Sequence, residues 1–209
     1  MKKICFITTS RADFGMVKVI INEALNFKKK CKIFLIVSGN HSDNFFGKSI
    51  SEIKFNKNLK IIKILSNQRN NNSQKVALSF SNFMKKFSLT FKKLNPNIFV
   101  SFGDRYEMLA ATISAFIMRI PIAHIAGGEK TSGSLDDGYR HSITKLSHLH
   151  FATSKEYKKR IIQLGENPSS VFNYGSLNRQ KISTNNFFSK IEIEKRFNIK
   201  FCEKNILMT

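Results

Sequence analysis

Lys3-Ile4-Cys5-Phe6-Ile7-Thr8-Thr9-Ser10-Arg11-Ala12-Asp13-Phe14-Gly15 changes its hydrophobic period halfway along. Residues 3–8 are a short apolar run with β-branched members, the pattern of a buried strand. From residue 13 to residue 27 the apolar positions Phe14, Val17, Ile20, Ile21, Ala24 and Leu25 follow helical spacing. Thr9 and Ser10, between the two, are candidate N-caps. The alternation continues down the chain. Residues 32–37, 59–65, 97–102, 121–125, 150–153 and 171–173 read as strands. Residues 76–94, 105–119, 136–147 and 155–164 read as helices, the first stopping before Asn95-Pro96. Residues 67–73 are polar and loop-like, 187–199 resemble a helix and its exit, and 205–209 open what looks like a further strand. Strands alternating with helices predict the α/β class, a doubly wound parallel sheet of Rossmann-like type with helices on both faces. Ligands of such sheets bind at the carboxyl ends of the strands, so function is to be sought there.

Composition narrows the classes. The 209 residues are 42% hydrophobic and 23% charged, enough for a real core. The longest strongly apolar stretch, residues 109–118, contains Thr112 and Ser114. It is about half of the roughly 20 residues a bilayer span needs, so no membrane helix is expected. The apolar run after Met1-Lys2-Lys3 ends before Arg11, too soon for a signal peptide. Cys5, Cys31 and Cys202 have neither metal nor redox spacing, which reads as a reduced, cytoplasmic protein with no metal and no cofactor.

The net charge is +21, and taken alone it invites a nucleic-acid partner. The better reading is codon composition. Lys, Asn, Ile and Phe, the residues of A/T-rich codons, make up 92 of the 209, and Lys outnumbers Arg 27 to 8. The basic residues are scattered rather than gathered in a block, so neither nucleic acid nor membrane is expected as a partner. The acidic residues are more selective. Five of the fourteen, Asp104, Glu107, Glu129, Asp136 and Asp137, fall between positions 104 and 137.

Each strand end admits a functional and a structural reading. The first loop lacks both the dinucleotide fingerprint and the P-loop pattern. Arg11 supplies a possible fork for phosphate oxygens, or else pairs with Asp13 at the surface. Gly103-Asp104-Arg105 offers a carboxylate at the end of a buried strand, or a helix cap beside a solvated Arg. His124 precedes Gly127-Gly128-Glu129; it is a site residue or a packed core histidine. Asp136 and Asp137 open a helix, as dipole complements or as paired carboxylates for acid and base work. His148 and His150 lie at strand period, without a third group spaced for zinc.

Taken together and in order, several segments resemble the hydrolysing UDP-N-acetylglucosamine 2-epimerases. They are Ser10-Arg11-Ala12-Asp13-Phe14-Gly15, Ser38-Gly39-Asn40-His41 and Gly103-Asp104-Arg105-Tyr106-Glu107-Met108-Leu109-Ala110-Ala111. The most specific block runs from Ile120-Pro121-Ile122-Ala123-His124 through Gly127-Gly128-Glu129 and Arg140-His141-Ser142-Ile143-Thr144-Lys145 to His148-Leu149-His150-Phe151, and Gln163-Leu164-Gly165-Glu166 follows. The family has two Rossmann-like domains in the GT-B arrangement, with the UDP-sugar between them. The resemblance implies that residues 1–180 are the N-terminal domain. Residues 181–209 would then be a linker helix and the first strand of a truncated second domain.

The chemistry implied is loss of the C2 proton, elimination of UDP and addition of water, giving N-acetylmannosamine from UDP-N-acetylglucosamine. By the same resemblance Asp104, Glu129, Asp136 and His124 are expected to be catalytic. Arg11, Asp13, His41, Arg105, Asp137, His141 and Ser176 are expected to bind substrate. A homo-oligomer is expected at full length. Alternatives are a UDP-diacetamido-trideoxy-sugar 2-epimerase of legionaminic acid synthesis, a GT-B glycosyltransferase, or a non-catalytic sugar-nucleotide-binding half. Two departures stand out. Ala126 occupies a position where some relatives carry Glu, and Gly175-Ser176-Leu177-Asn178 replaces the Gly-Ser-Pro or Gly-Leu-Gly seen in others.

Overall fold

The computed structural model of the chain describes residues 1–27, 29–42, 49–53, 59–65, 72–177 and 187–206. The strands are β1 (Lys2–Thr8), β2 (Cys31–Gly39), β3 (Leu59–Leu65), β4 (Ile98–Phe102), β5 (Ile122–Ile125), β6 (Leu149–Ala152) and β7 (Val171–Asn173). The helices are α1 (Arg11–Asn26), α2 (Ser73–Leu94), α3 (Tyr106–Ile117), α4 (Leu135–Leu146), α5 (Lys155–Gln163) and α6 (Lys190–Phe197). The strands form one sheet in the order β3-β2-β1-β4-β5-β6-β7, and every neighbouring pair is parallel. The chain starts in the middle, winds outward to β3, and returns to continue from β4 on the other side. The reversal lies between β1 and β4, so the crevice expected of such a sheet opens where those two strands end.

Local signals account for most element boundaries. Helix α1 begins with a capping box: Ser10 accepts the Asp13 N–H, and the Asp13 carboxylate reaches back to the Ser10 N–H. Helix α2 starts three residues earlier than its apolar spacing predicts. The Asn72 side chain accepts the Lys75 N–H at 2.8 Å and caps the extra turn. It ends at Asn95 in the left-handed conformation, φ 46°, just before Pro96. Asn205 and Ile206 form no strand; the rest of the expected terminal strand, the boundary at residue 180 and most of the loop at 67–73 lie outside the described residues.

Packing follows strand parity. Cys5, Ile7, Phe34, Ile36, Phe99 and Ile122 face α2, α3 and α4, whose Phe83, Phe87, Phe91, Met108, Ala111 and Ile143 fill the layer between. Phe83, Phe87 and Phe91 repeat every four residues, so they form one stripe of α2 with rings 5.9 and 6.2 Å apart. Ile161 of α5 packs on Ala152 and Val171, which the strand register puts on this same face. The other face is covered by α1, whose Phe14, Val17 and Ile21 lie on Phe6, Leu35, Val37 and Val100. Helices therefore lie on both faces, but unequally. Beside α1, over β4, β5 and β6, an apolar trough of about 400 Å³ is lined by Val100, Ala123, Ile125 and Phe151 among others. Among the described residues no helix is long and apolar enough to cross a membrane.

Candidate functional site

Because all strands are parallel, their carboxyl ends share one rim. Arg11, Asp104 and Asp136 all stand on it, after β1, β4 and β5 respectively. The rim divides at the crevice into two halves of different construction.

On the β1–β2 side the polar groups engage one another. Asp13 is buried and accepts from the Thr9 N–H (2.9 Å), the Ser10 N–H (3.0 Å), the Thr9 hydroxyl (2.6 Å) and the Thr8 hydroxyl. Burial pushes the Asp13 carboxyl up, while these donors from Thr8, Thr9 and Ser10 pull it down without cancelling the shift. The His41 ring is fully buried, with Nε2 2.9 Å from Thr8 Oγ1 and Nδ1 2.8 Å from Ser49 Oγ. Gly39, at φ 62°, lets β2 turn against the first loop; a Cβ there would lie 2.4 Å from the Thr9 carbonyl oxygen. Asp13 and His41, expected to bind substrate, thus stand inside the protein as cap and strut. Arg11, the first residue of α1, is exposed.

On the β4–β6 side one guanidinium is the hub. Arg140 is only 5% exposed. Its Nη1 donates to the Glu129 carbonyl and to Asp137 Oδ1, both at 2.9 Å. Its Nη2 donates to Thr131 Oγ1 at 3.1 Å and to the Asp104 carboxylate. The loop after β4, the loop after β5 and the first turn of α4 are therefore tied to a single side chain. Asp104 and Asp137 keep 27% and 26% of their side-chain surface open, so each is anchored at one edge and solvated at another. The Thr131 N–H, 2.9 Å away, with His141 and Arg140, holds the Asp137 carboxyl below the usual range. Glu129 is half-buried, and its Oε1 accepts from the Thr153 hydroxyl at 2.8 Å, which brings in the end of β6.

Asp136 is the second residue of α4; the Ser134 N-cap accepts its N–H at 3.2 Å. Its carboxylate has no hydrogen-bond partner among the described residues. His141 stands 3.7 Å from Asp137 through Nε2, and its buried Nδ1 has no partner among the described residues. Ser176 is exposed at the exit of β7, after Gly175 at φ 84°.

His124 lies beneath the rim rather than on it. It is fully buried on β5, with Nδ1 3.2 Å from Thr144 Oγ1 and Nε2 unpartnered among the described residues. Burial, then the neighbouring His150, Arg140 and His141, push its pKa down to about 3, so the ring is neutral near pH 7. Its geometry is that of a packed core histidine. Gly127 fits against it; a Cβ on Gly127 would be 2.9 Å from His124 Nδ1. Ala126 takes the left-handed conformation at φ 63°, so the turn reaches Gly127-Gly128 through a residue that carries strain there.

Arg140, quoted above only within a resembling block and given no role, is the residue that ties this side of the rim together, with Thr131 and Thr153 beside it. The signal was present: Arg140 stands three residues after Asp137, the spacing at which a helical ion pair closes. Its burial is not visible without the neighbouring loops.

A seven-stranded parallel sheet with its reversal between β1 and β4, and a rim of carboxylates around a buried arginine, is an α/β domain of Rossmann-like type. Residues 23–209 match the family model described as UDP-N-acetylglucosamine 2-epimerase, and the chain belongs to that family. It is 38% identical, over its whole length, to a Campylobacter jejuni protein named GDP/UDP-N,N'-diacetylbacillosamine 2-epimerase (hydrolyzing), covering 54% of it. It is 39% identical over 94% of its length to the Escherichia coli polysialic acid biosynthesis protein P7, covering 50% of that protein. A Rickettsia bellii UDP-N-acetylglucosamine 2-epimerase structure shares the fold, with a TM-score of 0.73 at 18% identity, over 96% of this chain and 52% of that one. The chain spans about half the length of the relatives it matches.

Proposed function

We propose that this chain is the N-terminal, Rossmann-like half of a hydrolysing UDP-sugar 2-epimerase of GT-B arrangement, acting on UDP-N-acetylglucosamine. The observation that carries the reading is the ring of carboxylates gathered by Arg140. Asp104 and Asp137 are bound to it directly, Asp136 shares the first turn of α4 with Asp137, and Glu129 lies in the loop after β5 that Arg140 holds through the Glu129 carbonyl. In this reading a carboxylate takes the proton from C2 of the sugar. The electron pair of that C–H bond forms the C1–C2 double bond, and the C1–O bond breaks with UDP leaving. Water then adds, hydroxyl to C1 and proton to C2 from the opposite face, releasing the 2-epimeric free sugar. We assign Asp104, Asp136 and Glu129 to the proton transfers, and Arg11 and Arg105 to the anionic leaving group. Such an enzyme works in the cytoplasm as a homo-oligomer, with no cofactor and no nucleic acid.

A UDP-diacetamido sugar is the second reading, favoured by the name of the Campylobacter relative. UDP release measured with both nucleotides, in a polypeptide that continues this chain through a second domain, separates the two. In that polypeptide Asp104→Asn should abolish turnover with little loss of folding. Near-normal turnover would make Asp104 a structural partner of Arg140 alone, and inactivity of the parent on both sugars would remove the assignment.

A further inference from the structure

Glu107 is a buried carboxylate that the proposed chemistry does not use. It lies in the first turn of α3 with its side chain 1% exposed, and both its oxygens are taken by one neighbour. Arg105 Nε donates to Oε2 at 3.1 Å and Nη2 donates to Oε1 at 3.0 Å, a bidentate fork two residues apart in sequence. A solvated pair at this spacing would add little, and a carboxylate buried merely for stability gains nothing over an apolar side chain. What the arrangement fixes is the guanidinium plane. Nε and one edge of Nη2 are occupied, while Nη1 has no partner among the described residues and the side chain remains 34% exposed.

The location gives that free edge a use. Gly103 takes φ 88° where the chain leaves β4. Asp104 goes to Arg140, on the β5 side. Arg105 is the N-cap of α3, directly after β4, whose neighbour on this side is β1; burial lowers its pKa, while Glu107 beside it, and more weakly Tyr106 and Asp13, raise it on balance. It therefore borders the crevice between β1 and β4, opposite the start of α1 where Arg11 is exposed. The N-termini of α1 and α3 converge on the same crevice, each favouring negative charge.

We propose that Glu107 is a positioning residue: it holds the Arg105 guanidinium so that its free Nη1 edge takes oxygens of a diphosphate in the β1–β4 crevice. This deepens the sugar-nucleotide reading and rests on it for the identity of the diphosphate. Orientation, not charge, is what Glu107 contributes, since the pair it forms with Arg105 is neutral. The two explanations predict opposite signs. If charge alone mattered, neutralising Glu107 would raise the local positive charge and tighten anion binding. If position matters, losing Glu107 frees the guanidinium to swing and weakens binding.

The test titrates the 15N-labelled 209-residue chain with inorganic pyrophosphate and separately with UDP, at one fixed ionic strength, following amide shifts. Glu107→Gln keeps the shape and removes the charge; Arg105→Lys keeps the charge and cannot span both Glu107 oxygens. Each should weaken both ligands about tenfold in a chain whose spectrum stays dispersed, and the double variant should be no weaker than either single one. Unchanged or tighter binding by a folded Glu107→Gln overturns the proposal and leaves the UDP-sugar reading intact. Should Glu107→Gln not fold, Arg105→Lys decides: undiminished affinity overturns the proposal. Pyrophosphate binding that depends on Glu107, with UDP no tighter than pyrophosphate, keeps the positioning role and removes the sugar-nucleotide reading. A parent chain that binds neither ligand overturns both.

Discussion

On the β1–β2 side of the rim, Thr8, Thr9, Asp13, His41 and Ser49 are all buried, and each polar group is satisfied by a neighbour. On the β4–β6 side, Asp104 and Asp137 each give one edge to Arg140 and keep about a quarter of their side chains open. The residue types are the same; what differs is where the counter-group comes from. Asp13 is supplied with donors by its own turn and is used up as a cap. Asp104 and Asp137 draw theirs from the Arg140 guanidinium, and Glu129 draws its donor from the Thr153 hydroxyl after β6; each is anchored from outside its own turn and remains partly open. Polarity at a strand end therefore covers two constructions: groups that satisfy one another inside the protein, and carboxylates held on one edge and open on the other.

The largest effect should come from removing the hub. Arg140→Leu leaves Asp104 and Asp137 without their cation and should cost about 3 kcal/mol in urea unfolding. A loss under about 1 kcal/mol would show that the three loops hold themselves. Gly128→Ala comes next. Its Cβ would lie 2.5 Å from the Tyr157 carbonyl oxygen and 2.8 Å from Ile161 Cγ1, at φ 76°. A cost of about 2 kcal/mol is expected, read in the same unfolding experiment.

The pH response should separate the two halves further. His124 has its folded pKa lowered to about 3, against about 6.5 for an unperturbed ring. Between those values the unfolded chain binds the extra proton, so stability rises with pH. The neutral ring's contribution is complete above about pH 6.5 and is lost as pH falls toward 3. His124→Gln should flatten that acid limb when unfolding free energies at pH 7 and pH 5 are compared, and an unchanged slope would place the acid sensitivity elsewhere. The smallest effect belongs to the closed side: Ser49→Ala removes one bond to His41 and should cost about 1 kcal/mol. It should leave ligand titrations of the β4–β6 side unmoved.

The sheet and its winding were legible because a run such as residues 3–8 and a spacing such as Phe83, Phe87, Phe91 carry their period locally. The early start of α2 was also present, in Asn72, but a cap is one residue against a pattern of many. The site was only partly legible. Asp104, Glu129 and Asp137 could be listed from spacing, yet the full burial of His41, in the turn after β2, and of His124, on β5, leaves no mark in the sequence. Burial is a property of neighbours far away in the chain. Arg140 was hidden for the same reason: the three segments it joins are up to 36 residues apart.

The turn through Gly127 and Gly128 is clamped above and below, by His124 and Thr144 on one side and by Tyr157 and Ile161 on the other. Arg160 adds a 2.7 Å bond to the Gly128 carbonyl. Such a turn works as an anvil and not as a hinge: its shape is imposed by the residues packed around it, and a side chain added at either glycine would have to displace them.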